Sequence, residues 1–481
     1  MVNMRIHPGP LNNDLLFLET EHRAYTMFHG GGDLEQVLDV RRGDQGLWKS
    51  IRQHAIPEPV KIYIRRAGFE GVFNCGFKPL DHALITALVE RWRPETHTFH
   101  LPIGEVTVTL QDVQLMWGLR IDGEVVTGRE RKWSDADKRD TCYRLLGIRP
   151  EESDFKTAQL KTKVLRAVLD TEFPDNPTNE QCMQRARTYI LLLLGGSIFS
   201  DSNDSSVHMN LVASLEDFDR CSGLSWGSAA LACLYRNLCK AATNDKIIAG
   251  PLMLLQLWAW SRIRATGPKY DGQNLDTPYG VRWNSSLHFG SVPTHSVSGY
   301  RTILHAMMDN EIIFLQFVWT PYDQYLHQVS TDWLCNTYII CWEIVEEYLP
   351  SRVMRQFHLM QTIPTVQLAD NFVPVMANRV ERVHRQAHVQ RRTHVDEAGP
   401  SNRGERTPSH HDDEAGLSNR GERAPSHHGE QTHFYQGEAS GSNTQFTQDT
   451  FNTGPVVNFD LNLPWDQNET SEVEEPSLAY L

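Results

Sequence analysis

The chain has 481 residues, 40% of them hydrophobic and 22% charged, and its formal net charge is −14. This composition fits a packed globular body with a polar remainder, and the negative charge argues against a chain-wide grip on nucleic acid, which needs a basic field. No apolar run is long enough to span a bilayer, the N-terminus has no apolar signal-peptide core, and the eight cysteines contain no CxxC pair. We therefore expect a soluble protein of a reducing intracellular compartment that makes no membrane contact.

The first part of the chain predicts few elements. Residues 1–60 have a mixed pattern in which Gly30–Gly32 indicates a flexible turn, because no Gly-Lys-Ser/Thr follows as in a phosphate loop. A first clear helix is predicted at Pro79–Arg93, with Asp81 as its N-cap and Pro94 at its end.

The stretch Phe99–Gly128, FHLPIGEVTVTLQDVQLMWGLRIDGEVVTG, has the most specific pattern. An alternating segment predicts a strand, and Thr109 and Asp112 have the spacing of a helix capping box. Gly118 ends that helix, and Ile121–Val126 predicts a second strand with a turn at Asp-Gly. Three large apolar residues of the helix are expected to face a core: Val113, Met116 and Trp117. The stretch therefore predicts a small strand–helix–strand corner with no charged cleft.

Helical periodicity dominates the rest of the body. Arg129–Asp140 is charged and predicts an exposed connector, and Gly195–Gly196 predicts a helix end. Further helices are predicted at Ser153–Asp170, Thr178–Leu194, Trp226–Ala242, Leu252–Ile263, Leu326–Tyr348 and Arg352–Gln361. The last helix is expected to pair its polar residues with glutamates of the preceding one: Arg352, Arg355 and Gln356 with Glu343, Glu346 and Glu347. The predicted fold class is mainly α, with a large helical domain over residues 1–378 that is long enough for two lobes dividing near 200–225.

The composition changes after this body. A 17-residue unit at His394–His410, HVDEAGPSNRGERTPSH, recurs as HDDEAGLSNRGERAPSH at His411–His427. Each copy has almost no large apolar side chains to offset chain entropy, so residues 379–455 are predicted to be a disordered linker. Its histidines lack the fixed geometry that a specific metal site needs.

A basic run opens this linker. It consists of Arg379, Arg382, Arg385, Arg391 and Arg392. Such a run is typical of a nuclear import signal or a weak nucleic-acid contact, but the arginines are spaced rather than contiguous. The pattern favours the solvated end of a helix that leaves the domain.

The tail, residues 456–481, contains an apolar island that could bind a partner. Its core is Asp460, Leu461, Asn462, Leu463 and Pro464. DLNLP resembles the plant EAR repression motif, whose alternating leucines dock on Topless-type corepressors, although the proline falls one place earlier than in the DLNxxP form. Alternation places both leucines on one face of an extended peptide. An unbound apolar patch, or a segment that folds back on the body, explains the island equally well.

No enzyme motif occurs in the chain. The metal-ligand runs of a metallophosphatase, GDxHG, GDxVDRG and GNHE, are absent, and so are GxSxG, HExxH and a Walker loop. The helical pattern also argues against the large α/β domain of a pyridoxal phosphate enzyme. His100 is an isolated histidine beside apolar residues and is interpreted as structural. We therefore predict no catalytic, cofactor-binding or metal-binding residue.

Separated blocks along the body occur in one order that is similar to a known family. The blocks are His22-Arg23, RWRPET at Arg91–Thr96, the Phe99–Gly128 stretch, Trp226–Arg236, Gly250–Trp260, Trp319–Tyr322 and Pro350–Phe357. They resemble the plant mobile domain, the transposon-associated domain of MAIN-like proteins, whose relatives also carry phosphatase or aminotransferase in their names. The resemblance extends from about residue 10 to residue 364.

This resemblance implies a function without supplying a chemistry. It implies a nuclear, non-enzymatic protein that acts through protein contacts in meristem maintenance and in silencing of transposons or genes, with chromatin or silencing factors as partners. The alternative is a nucleic-acid-binding module domesticated from a transposable element.

Overall fold

The structure is a computed structural model, and its described residues belong to one compact unit. The described residues are 16, 18–29, 33–127, 132–200, 206–243, 246–268, 278–284, 296–308, 317–323 and 330–362. The predictions for Gly30–Gly32, for the linker at 379–455 and for the tail at 456–481 lie outside them.

The described part of the chain is mainly α, as the sequence predicts. Its helices are α1 Arg23–His29, α2 Gln45–Gln53, α3 Glu58–Arg66, α4 Glu70–Cys75, α5 His82–Val89, α6 Leu110–Trp117, α7 Asp135–Leu146, α8 Thr162–Asp170, α9 Asn179–Leu193, α10 Met209–Ser214, α11 Phe218–Ser222, α12 Trp226–Thr243, α13 Leu252–Arg262, α14 Val297–His305 and α15 Thr331–Leu334. Its strands are β1 Asp39–Val40, β2 Trp92–Arg93, β3 Thr98–Leu101, β4 Gly104–Val106, β5 Phe155–Lys156, β6 Gln159–Lys161, β7 Ser206–His208, β8 Ile247–Ile248, β9 Thr337–Cys341 and β10 Ile344–Tyr348.

Two apolar helices lie at the centre of the core. Every residue of α13 is buried, which explains why its sequence is apolar nearly all round. Helix α12 packs against α6, β9 and β10. Gly227 allows the first turn of α12 to lie against the segment that follows α6, because a Cβ there would lie 2.9 Å from the carbonyl oxygen of Arg120. The core that forms around these helices is contiguous from Leu38 to Phe357.

The stretch Phe99–Gly128, called the signature stretch below, folds largely as predicted. Strands β2, β3 and β4 form an antiparallel sheet, and α6 follows with the Thr109–Asp112 capping box. Gly118 ends the helix at φ +67°. The second strand is the exception: Glu124 and Val126 form isolated bridges, to Leu224 and Cys341 respectively, because successive residues pair with different neighbours.

Helix limits differ from the prediction in three places. Helix α5 has the predicted Asp81 cap but ends at Val89, because Trp92 and Arg93 pair with β3 instead. The predicted connector at Arg129–Asp140 contains the start of α7, which Ser134 and Asp137 open as a capping box. Residues 155–161 form the β5–β6 hairpin, so the helix predicted from Ser153 begins only at Thr162.

The predicted stop at Gly195–Gly196 is also wrong. After α9, which Thr178 opens as the N-cap of a capping box, the chain continues through both glycines as a π-helical turn at Leu194–Ile198. The glycines serve packing here: a Cβ on Gly196 would lie 2.7 Å from the backbone nitrogen of Asp44.

The end of the body differs most from the prediction. From residue 330 on, the helix predicted at Leu326–Tyr348 is replaced by α15 and the β9–β10 hairpin, and residues 350–357 form two 3-10 turns. The expected pairing with glutamates 343, 346 and 347 is wrong as well. Arg352 instead forms an ion pair with Glu105 at 2.7 Å, and Gln356 bonds both backbone groups of Thr107.

The region before residue 79 contains elements that the sequence pattern did not indicate. Helices α1 to α4 lie there, and β1 pairs in parallel with β8. Within the described residues, no helix combines the length and apolar character needed to cross a membrane.

Candidate functional site

Several charged side chains in the core form ion pairs. Asp112 and Arg262 are both fully buried, and their Oδ1 and Nη2 atoms lie 2.8 Å apart. The Tyr322 hydroxyl also donates to Asp112 Oδ1, and the backbone N–H of Thr109 donates to Oδ2. This network joins α6, α13 and the segment at 317–323, so the carboxylate is occupied by structural contacts.

Two further pairs follow the same rule. Arg301 donates from Nε and Nη2 to the two carboxylate oxygens of Glu90, both at 2.7 Å. Arg42 likewise donates to both oxygens of Asp44. Bidentate arginine–carboxylate pairs satisfy the hydrogen-bonding groups of both partners, which is what a buried charge requires.

A different arrangement surrounds His97, in the tight connection between β2 and β3. His97 has φ +51°, which is uncommon for a residue with a side chain. The hydroxyl of Thr107 donates to its carbonyl oxygen at 2.8 Å, and the Trp92 ring stacks on the imidazole. The imidazole Nδ1 lies 2.8 Å from the carbonyl oxygen of Glu347, an acceptor, so Nδ1 carries a proton and donates it. These contacts fix the ring and direct Nε2 to the other side.

Two further side chains converge on that other side. His97 Nε2 lies 3.2 Å from Glu346 Oε2, and the ligand atoms of His97, Glu346 and Cys239 all lie within 4.8 Å of one another. We call these three residues the His–Cys–Glu cluster. It is the only group of three histidine, cysteine or acidic residues in the described ranges with the spacing to hold a metal ion.

Each member of the cluster has a supporting contact. The indole N–H of Trp92 donates to Cys239 Sγ at 3.3 Å, and Arg236 on α12 contacts Glu346 Oε1. The side chains of His97 and Glu346 are only 14% and 8% exposed, and Cys239 is half-buried. Burial on its own lowers the pKa of His97, but Cys239 and Glu346 together outweigh burial and raise that pKa well above its ordinary value.

The site residues predicted from the sequence all lie outside the described residues. This applies to the basic run at 379–392 and to the DLNLP motif at 460–464, so both stay predictions. His100, interpreted as structural, bonds Thr96 Oγ1, and burial lowers its pKa to about 4.

The sequence prediction missed the His–Cys–Glu cluster. Its residues come from a turn, a helix and a strand that are far apart along the chain, so no local spacing indicates them. The one available signal was that two of the three residues lie next to the sequence blocks that carry the family resemblance. His97 directly follows RWRPET, and Cys239 lies one helical turn beyond Arg236, the end of another block.

Comparison with known proteins identifies the body. Residues 68–407 match the plant mobile domain. The chain belongs to the plant mobile domain family. Similar relatives from Arabidopsis thaliana include the serine/threonine-protein phosphatase 7 long form homolog, 37% identical over 76% of this chain and 28% of that protein. Protein MAIN-LIKE 2 is 32% identical over 74% of this chain and 53% of its own length, and Protein MAINTENANCE OF MERISTEMS is 32% identical over 63% and 62%.

The chain therefore spans about a quarter to about two thirds of the length of these relatives. No solved structure matches it. The shared part is the plant mobile domain, and what the relatives carry beyond it does not transfer to this chain.

Proposed function

We propose that this plant mobile domain protein is a non-enzymatic nuclear protein that acts through protein contacts in meristem maintenance and in the silencing of transposons or genes. The observation that supports the non-enzymatic part of the proposal is the pairing of interior charges. Arg262, Arg301 and Arg42 each bind a buried carboxylate, an arrangement that serves shape rather than turnover. Relatives named for the maintenance of meristems support the biological role.

The runner-up is a nucleic-acid-binding module domesticated from a mobile element. The basic run at 379–392 favours it, whereas the net charge of −14 opposes it. Binding of the full chain to duplex DNA and to single-stranded RNA, measured by fluorescence anisotropy across salt, separates the two. Affinity that falls steeply with salt supports the runner-up, since phosphate contacts release counterions. Weak binding with a shallow salt slope supports action through protein contacts.

The nuclear location is tested with the basic run. A fluorescent fusion of the full chain should concentrate in plant nuclei. A variant with the five arginines of the run changed to alanine shows whether that run is the import signal. A wild-type fusion that stays outside the nucleus contradicts the proposal.

The proposed corepressor contact is tested at the tail. Affinity purification of the full chain from plant nuclei should recover a Topless-type corepressor, and the double variant Leu461→Ala, Leu463→Ala should lose it. Asn468→Ala is the control, because Asn468 lies in the same tail but outside the DLNLP segment. Unchanged recovery with the double variant, or none with the wild type, removes this contact from the proposal.

A further inference from the structure

We propose that His97, Cys239 and Glu346 form a zinc site that joins three distant segments of the plant mobile domain. This site goes beyond the proposed function and stands independently of it. It rests on the convergence of three ligand atoms, on their chemical types and on the contacts that orient them.

The donor set suits zinc. Thiolate, imidazole and carboxylate are the three side-chain ligands that Zn²⁺ takes in proteins, at about 2.0–2.3 Å from the ion. Ligand atoms around a tetrahedral ion at those distances are about 3.2–3.8 Å apart. The 3.2 Å separation of His97 Nε2 and Glu346 Oε2 already has this value, and Cys239 lies within 4.8 Å of both. The soft thiolate disfavours calcium and magnesium, which prefer oxygen ligands.

The surrounding contacts orient each ligand. Metal-binding histidines usually donate their second ring N–H to a carbonyl or carboxylate, and His97 Nδ1 is bonded to the Glu347 carbonyl oxygen in this way. The indole N–H of Trp92 donates to Cys239 Sγ and fixes its position, and Arg236 holds Glu346 Oε1 so that Oε2 is left for an ion. Zinc binding would require an unprotonated Nε2 at His97 and a thiolate at Cys239, so a proton held on either atom would be released to solvent.

The same residue types could instead form a cysteine–histidine–carboxylate relay of a hydrolase. In such a relay the carboxylate bonds one ring nitrogen and the cysteine lies at the other. Here Glu346 approaches Nε2, while Nδ1 is occupied by the backbone of Glu347. With one ring nitrogen bonded to the backbone and the other facing Glu346, the imidazole has no nitrogen left to bond the thiol, which disfavours a linear proton relay.

The site has three protein ligands and partial exposure. A bound zinc ion would therefore keep a fourth position for a water molecule, as zinc sites with three protein ligands do. His97 precedes β3, Cys239 lies in α12 and Glu346 lies in β10. One ion would therefore connect the sheet of β2, β3 and β4 (the signature sheet) to the β9–β10 hairpin (the last hairpin) through α12 (the central helix).

The test uses the full chain without a histidine tag, kept reduced by a phosphine and freed of metal by a chelator. Zinc is added back, excess is removed by dialysis, and the metal content is measured by mass spectrometry. We expect one zinc per chain. Cobalt in place of zinc should give the near-ultraviolet absorption of a thiolate–cobalt bond. Absence of stoichiometric zinc, or of that band in the wild type, overturns the proposal.

Three variants assign the ligands. Cys239→Ser should abolish the cobalt band, and His97→Asn, which tolerates the positive φ, should weaken zinc affinity by at least about 100-fold, more than the loss of an outer contact costs. Cys335→Ser is the matched control, since Cys335 is also half-buried but lies outside the cluster, and it should keep both band and affinity. Wild-type affinity in both Cys239→Ser and His97→Asn overturns the proposal.

A measurement on the wild type covers the case in which the variants fail to fold. Zinc should slow alkylation of Cys239 by iodoacetamide, read by peptide mass spectrometry, and leave the rate at Cys335 unchanged. Equal rates at Cys239 with and without zinc overturn the assignment.

Discussion

At the scale of single residues, the buried charges explain why the signature stretch contains an aspartate. Asp112 caps α6 through Thr109 and at the same time neutralises Arg262 on α13. The residue at position 112 must therefore have a short side chain that accepts the N-cap hydrogen bond of α6, and a negative charge that pairs with Arg262. Leucine or alanine would satisfy neither requirement, although the position lies in the core.

Asp112→Asn should destabilise the protein by about 3–5 kcal/mol, because it leaves the Arg262 guanidinium buried without a counter-charge. The free energy of unfolding, measured by urea denaturation, checks this. Asp219→Asn breaks an ion pair of the same type on the surface, with Arg66, and should leave that free energy unchanged within error. Equal effects of the two changes would show that burial does not set the cost.

Lys78 is another buried cation, and its burial predicts that the stability of the fold depends on pH. Its Nζ donates to the carbonyl oxygen of Cys75 and to Asn284, and burial lowers its pKa to about 8. The unfolded lysine keeps its proton up to about pH 10.4, so between these values the unfolded state binds more protons and folding becomes more favourable as pH rises.

The stability of the wild type relative to Lys78→Met should therefore increase by about 2.4 kcal/mol from pH 8 to pH 10.4. Taking the difference cancels the ionisation of groups that both proteins share. Urea denaturation of both proteins at a series of pH values measures this difference in the free energy of unfolding. A difference that does not change with pH contradicts the proposed burial of the Lys78 ammonium group.

At the scale of elements, the π-helical turn after α9 depends on a glycine. Gly196→Ala would place a Cβ 2.7 Å from the backbone of Asp44, which cannot move as a side chain can. The expected loss is about 1–3 kcal/mol in the free energy of unfolding. Gly46→Ala is the control: its Cβ meets only the flexible end of Arg166, and alanine favours helix α2, so stability should be unchanged or slightly raised. A harmless Gly196→Ala would refute the packing role.

Elements set by neighbouring residues were predictable, and those set by distant partners were not. The capping boxes at Thr109 and Thr178 need only residues three apart, and both are present. The β9–β10 hairpin was missed because its apolar residues also fit a helical spacing, although Ile339, Ile340 and Val345 are β-branched, a composition that favours a strand.

The His–Cys–Glu cluster shows the limit of a local pattern. Its ligand atoms meet only when β3, α12 and β10 pack together, and nothing near His97 in the sequence marks Glu346 as its neighbour. Tertiary packing decides this contact, so only the folded chain shows it.

At the scale of the whole molecule, the cluster lies where the signature sheet, the central helix and the last hairpin meet. Tyr235 on α12 reinforces this junction, since its hydroxyl donates to the carbonyl oxygen of Val108. Helix α12 also packs directly on both strands of the hairpin. An ion held by three segments binds the folded chain and has no preformed site in the unfolded chain, so binding must stabilise the fold.

Zinc should therefore raise the free energy of unfolding of the full chain by about 2.7 kcal/mol when free zinc is 100 times its dissociation constant. Urea denaturation in a chelator and in buffered zinc measures the increment. Magnesium at the same concentration should have no effect, because it avoids thiolate ligands. Cys239→Ser should lose the zinc increment, and Cys335→Ser should keep it. If Cys239→Ser keeps the zinc increment, the stabilising ion binds elsewhere in the chain. The His–Cys–Glu cluster would then not contribute to the stability of the body.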